Sequence, residues 1–144
     1  MNTTATLDHP FLAGMDAQYR DIFLHGARQQ EFGPDEIIFR EGATANTLYL
    51  IEWGEVMLEA KDPERAAKPI QILEAGEVLG WSWLFPPFAW HFQARALKPT
   101  RVICCDGGHL LVEAEENPAF GYDVMRRITR VLIQRLEAIR KKGG

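Results

Sequence analysis

The stretch GPDEIIFREGATANTLYLIEWGEVML, residues 33–58, decides the fold. Short apolar runs (IIFR, TLYLIE, VML) alternate with turn-forming groups (GPDE, EGAT, WGE), a grammar of strands too brief to stand alone. Reading outward, RQQEF at 28–32 precedes it, a polar loop at 61–68 follows, and PIQIL, VLGW, HFQARAL and TRVICCD continue the pattern to residue 106. Roughly eight strands in close succession predict a mainly β chain, an eight-stranded antiparallel jelly roll or β-roll that closes its own edges.

Helical periodicity brackets the roll. Residues 11–26 read as an N-terminal helix, with Asp16 as cap, Tyr19, Ile22 and Phe23 on one face and Gly26 at its end. Residues 108–142 read as two C-terminal helices, a short one ending before Pro118 and a long one through residue 142. In the long helix Phe120, Val124, Ile128, Val131, Leu132, Leu136 and Ile139 form an apolar stripe that folds onto the roll or zips against a second copy. The whole of 1–144 is thus one domain, with the roll at 28–106.

The 144 residues carry a formal charge of -4, but unevenly. Residues 1–117 hold 9 Lys and Arg against 18 Asp and Glu, whereas residues 118–144 hold 7 against 2. A basic helix face is usually a solvated one. No apolar run approaches the roughly 20 residues that span a bilayer, and the N-terminus lacks the pattern of a secretory signal, so cytoplasmic residence without membrane insertion is expected. The two cysteines, Cys104 and Cys105, are adjacent. Alternation on a strand predicts one in the core and one exposed, with no disulfide framework. The four histidines have no metal-like spacing, no G-x-S-x-G occurs, and Glu113, Glu115 and Glu116 read as a solvated face. The chain is therefore not expected to be an enzyme or to hold a metal or resident cofactor.

Taken in order, these pieces resemble the cyclic nucleotide-binding domain, the ligand module of catabolite-activator-type regulators, cyclic-nucleotide-dependent kinases and gated channels. Residues 33–58 are similar to the family's extended strand, E-G and L-Y-x-I-x-x-G-x-V signature. ILEAGEVLG at 72–80 is similar to its approach to the pocket, and CCDGGHLLVEAEENPAF at 104–120 to its closing strand, aspartate and helices. Independently of family, Gly42, Gly54 and Gly76 sit in tight connections, and Gly80 precedes a short turn where backbone N–H groups would face an anion.

The resemblance implies a phosphate-binding cassette in EVLGWSWLFPPFAWHFQARA, residues 77–96, which also holds three of the four tryptophans. Leu79 and Gly80 match it. Trp81 stands where the family has the glutamate that grips the ribose 2′-hydroxyl, with Ser82 and Trp83 in the following turn. Trp90, or His91 if the Pro86–Pro87 loop shifts the alignment by one, stands where the family has the arginine that pairs with the cyclic phosphate. A charge-assisted hydrogen bond contributes about 1.5–3 kcal/mol, and about 1.4 kcal/mol is tenfold in affinity. Losing both contacts weakens a micromolar site toward millimolar. Arg95 is a substitute cation, but period-2 alternation sets it out of phase with residue 90. The tryptophans either fill the pocket as core or line it for a flatter, more apolar ligand.

The expected ligand-binding set is therefore Gly80, Trp81, Ser82, Trp83, Trp90 and His91. The expected function is non-enzymatic ligand sensing with weak or altered cAMP or cGMP binding, the alternative being a constitutive interaction module with a filled pocket. Partners are a small molecule, and a partner protein or a homodimer through residues 118–142. The family's transcription regulators continue into a helix-turn-helix, which this sequence does not contain, so direct sequence-specific DNA binding is not expected.

Overall fold

A computed structural model describes residues 9–60 and 68–143. The start of the chain, read as free of a secretory signal, and nearly all of the polar loop at 61–68 lie outside the described residues. Eight strands follow the N-terminal helix α1 (Ala17–Leu24): β1 (Arg28–Phe32), β2 (Ile37–Phe39), β3 (Thr47–Trp53), β4 (Glu55–Ala60), β5 (Lys68–Glu74), β6 (Val78–Leu79), β7 (Gln93–Ala96) and β8 (Thr100–Asp106). Helices α2 (Gly107–Glu116) and α3 (Pro118–Gly143) close the chain. The strands pair antiparallel in two four-stranded sheets, ordered β1-β8-β3-β6 and β2-β7-β4-β5, the eight-stranded roll read from the sequence.

Two apolar layers hold it together. Phe32, Ile51, Val56, Leu73, Ala94 and Val102 meet between the sheets. Leu48, Leu50, Ile103 and Cys105, on the opposite face of the first sheet, are covered by Phe23 of α1, Leu110 of α2 and Phe120, Val124 and Ile128 of α3. This corrects the reading of the cysteines. Neighbouring residues on β8 do point to opposite faces, but both faces are covered, so Cys104 and Cys105 are both buried.

Local chemistry sets the helix ends. The Asp16 carboxylate accepts from the Gln18 amide at the start of α1, and Asp106 accepts from the His109 amide at the start of α2. The helix expected over 11–26 is shorter than that, because Gly14 at φ +78° separates a single turn at Pro10–Leu12 from α1. Between α2 and α3, the Asn117 side chain accepts from the Phe120 amide. Gly121 lets α3 cross closely, since a Cβ there would stand 2.9 Å from the Ala114 carbonyl oxygen.

The stripe on α3 needs the larger correction. Phe120, Val124 and Ile128 are buried, and Val131 packs beside them. Leu136 and Ile139 face solvent at 67% and 46% exposure. Spacings of four, four and three carry the inward face from residue 120 to 131, and the next step of four lands on Arg135, which is 7% exposed. Tyr122, Met125, Ile133 and Leu136 form a second, outward line of exposed apolar residues.

Candidate functional site

A cleft of about 480 Å³ opens at the end of β6, between the roll and α3, within the range of small-molecule sites. It is lined by Gly80, Trp81 and Ser82 after β6, by Trp90, His91 and Phe92 before β7, by Phe39 and Leu58 of the second sheet, and by Arg135 of α3. Five of the six residues singled out in the sequence line it: Gly80, Trp81, Ser82, Trp90 and His91. Trp83 does not. It is 3% exposed, its indole N–H donates to the Gly80 carbonyl at 2.9 Å, and its ring lies so close to Gly107 that a Cβ there would come within 2.7 Å.

Trp90 is both wall and core. Its ring stacks on Phe39 with centroids 3.8 Å apart and planes 11° from parallel. Its backbone is pinned to the 42–43 turn, the Gly42 amide donating to its carbonyl at 2.8 Å and its own amide donating to Ala43 at 2.9 Å. Gly80 makes room for it: φ is +92°, and an added Cβ would stand 2.7 Å from the Trp90 ring, so this position needs glycine on both counts. Its carbonyl is taken by Trp83, and the turn after it, Ser82–Leu84, is a single 3-10 turn. At the cleft's polar edge the Ser82 hydroxyl lies 3.2 Å from Nδ1 of the exposed His91.

The two arginines nearest the question behave oppositely. Arg95 on β7 points out of the roll while its neighbours Ala94 and Ala96 point in. Its guanidinium donates to Glu59 at 3.1 and 3.2 Å and to Asp35 at 2.7 Å. That pairing holds the Glu59 carboxyl below its ordinary range, chiefly through the hydrogen bond from Arg95. Arg95 is thus committed elsewhere, and because β7 begins at Gln93 the alternation argument did not extend to residue 90.

Arg135, which sequence reasoning passed over, is the cation in the cleft. Its guanidinium carbon lies 4.5 Å from the ring centroid of the half-buried Trp81, a cation–π contact. Nε and Nη2 are buried and find no hydrogen-bond acceptor among the described residues. Burial pushes its pKa down to about 10, against an opposing pull from Glu77. The signal that would have found it is geometric, the helical period continued past Val131 whatever residue type stands there. Earlier on the same helix, Arg127 is engaged, donating to the Phe11 and Ala13 carbonyls at 2.7 and 2.8 Å and to Asp123 at 3.1 Å.

Other chemistry is sparse. Burial raises the thiol pKa of both Cys104 and Cys105, which suppresses the thiolate. Among the described residues no group of three or more His, Cys, Asp or Glu side chains could hold a metal, and no helix is long and apolar enough to cross a membrane.

A model of the cyclic nucleotide-binding domain matches residues 29–117. A protein from Geobacter metallireducens described as cyclic nucleotide-binding superposes with a TM-score of 0.80 at 26% identity, covering 89% of this chain and 92% of that one. The catabolite activator protein of Thermus thermophilus gives a TM-score of 0.71 at 20% identity, over 92% of this chain and 61% of that one. The regulatory subunit of a cAMP-independent protein kinase A from Trypanosoma brucei gives 0.68 at 22% identity, over 85% of this chain and 44% of that one. No curated protein sequence matches the chain.

Proposed function

The chain belongs to the cyclic nucleotide-binding domain family, and from that membership we propose that it is a non-enzymatic ligand-sensing regulatory domain with weak or altered cAMP and cGMP binding. The observation that carries this reading is the wall of the cleft. Trp81 and Trp90 stand there, where the family resemblance calls for a ribose-binding glutamate and a phosphate-binding arginine, and the nearby Arg95 is tied to Glu59 and Asp35. The fold does not carry the ligand with it, since the same fold occurs in the regulatory subunit of a kinase described as cAMP-independent. Gly80, Trp81, Ser82, Trp90 and His91 are the proposed ligand contacts, and Trp83 supports them from the core. Ligand entry biases the turn at 80–85 and, through it, the position of α3.

Calorimetric titration with cAMP and with cGMP to millimolar concentration tests this. Kd values in the high micromolar range or weaker are expected. Saturable binding tighter than about 50 µM, roughly −6 kcal/mol, overturns the altered-site reading.

A second reading, a module acting through its long helix, is favoured by the outward apolar line on α3. Tyr122, Ile133 and Leu136 are 65%, 50% and 67% exposed, at separations of eleven and three that keep them on one helix face. A second copy of the chain supplies that matching face, and such a homodimer is compatible with ligand sensing.

A further inference from the structure

We infer that the cleft takes a small organic anion with a flat apolar body, and that Arg135 of α3 is the group that recognises its charge. This rests on the reading of the cleft as a ligand site and names the chemistry of what enters.

The inference begins from an imbalance of charge. Arg135 is 7% exposed, yet Nε and Nη2 have no acceptor among the described residues. A buried cation is ordinarily paired or well hydrogen-bonded: Arg127 donates to two carbonyls and a carboxylate, Arg95 meets two carboxylates, and Arg101, whose Nε also lacks a hydrogen bond among the described residues, still has Glu52 at 3.3 Å. No carboxylate lines this cleft, although Arg135 also borders a second one whose lining includes Glu77. Glu77 attracts it through space but forms no ion pair with it among the described residues. The cleft's other lining is the Ser82–His91 pair, which can donate or accept, and the apolar side chains of Trp90, Leu58 and Phe92.

Both N–H groups are closed to water in the free protein, so an anion in the cleft meets them as the guanidinium turns from its stack on Trp81 toward the opening. A carboxylate has the two-oxygen geometry that a guanidinium fork meets in pairs, and the hydroxyl of Ser82 adds a third donor. The remaining walls are apolar and largely aromatic and include no carboxylate to hold a ribose, which fits a flat hydrocarbon body rather than a nucleotide. A neutral ligand leaves the guanidinium unpaired, so the site discriminates by charge before shape. Because the recognising cation sits on α3, binding an anion also fixes that helix against the roll.

The test uses 1-naphthoate and its neutral counterpart 1-naphthamide as probes, titrated into the full chain and into Arg135→Met, read by tryptophan fluorescence and by the shift in melting temperature. In the unmodified protein naphthoate is expected to bind at least about 10-fold more tightly than naphthamide, the factor a charge-assisted hydrogen bond supplies. Arg135→Met is expected to bring that ratio to about 1 while retaining naphthamide binding, and Trp90→Ala to weaken both probes. Equal affinity of the unmodified protein for the two probes overturns the role of Arg135 and leaves the cleft standing as a ligand site. An undiminished preference for naphthoate in Arg135→Met likewise overturns it. Binding of neither probe at millimolar concentration overturns the inference together with the ligand-site reading on which it rests.

Discussion

Replacing Arg135 with methionine takes a charge out of the interior while keeping an unbranched side chain of similar reach against Trp81. In the free protein Arg135 is 7% exposed, with two N–H groups lacking acceptors among the described residues. Burial lowers its pKa from the ordinary arginine range to about 10; at about 1.4 kcal/mol per pK unit, the charged form costs about 3 kcal/mol relative to water. The stack on Trp81 returns about 1 kcal/mol. Arg135→Met should therefore stabilise the ligand-free protein by about 2 kcal/mol, and for a domain of this size that raises Tm by about 8 °C. The pH dependence follows from the sign of the shift. A base whose folded pKa is depressed destabilises the fold wherever it is charged in both states, so the advantage of the variant should be constant from pH 6 to 9. It should shrink as pH rises through about 10, where the folded state begins to release the proton. Scanning calorimetry in a low-salt buffer checks both. A variant that melts at or below the temperature of the unmodified protein would refute the reasoning, because it would mean that the guanidinium is already satisfied.

Other substitutions separate the roles assigned here. Arg127→Met on the same helix should act in the opposite direction, lowering stability by about 2–4 kcal/mol as two backbone carbonyls and Asp123 lose their donor; urea denaturation measures it. Gly80→Ala should cost about 2–3 kcal/mol and perturb tryptophan fluorescence, since φ is +92° and the new methyl group meets Trp90. Glu59→Gln should flatten the acid limb of the stability curve. The lowered carboxyl pKa stabilises the fold above the unfolded value of 4.5, and that stability is lost as pH falls through the folded value. Leu136→Glu should leave a folded chain that sediments as a monomer, whereas Ile128→Glu, at 3% exposure, should unfold it; unchanged sedimentation of an oligomeric protein carrying Leu136→Glu would remove α3 from the interface.

The strands were legible because each is delimited by residues with a backbone reason to turn: Gly42, Gly54 and Gly76 all adopt positive φ between strands. The cleft was legible in part, since Gly80, Trp81, Ser82, Trp90 and His91 lie close together in sequence and the turn and β7 return them to one place. Trp83 was misgrouped with them because one indole reads like another until the partner of its N–H is known. Arg135 was not legible by composition at all. The apolar stripe holds through Val131 and Leu132, which pack on the core; its extension to Leu136 and Ile139 followed residue type, whereas the inward position there is Arg135. The cysteines show the same limit: alternation on β8 gave the two directions correctly, but only the packing of the helices says that neither direction leads to water.

The clamp of Arg127 on the carbonyls of Phe11 and Ala13 gives α3 the mechanics of a lever. Residue 127 is held to the N-terminal segment and is the fulcrum. Arg135 lies eight residues farther, about 12 Å along the axis at 1.5 Å per residue, and residue 143 about 12 Å beyond that. A tilt about the clamp that displaces Arg135 by about 1 Å displaces the far end of the helix by about 2 Å. The load enters halfway along the arm, so a small rearrangement at the guanidinium is delivered doubled at the tip.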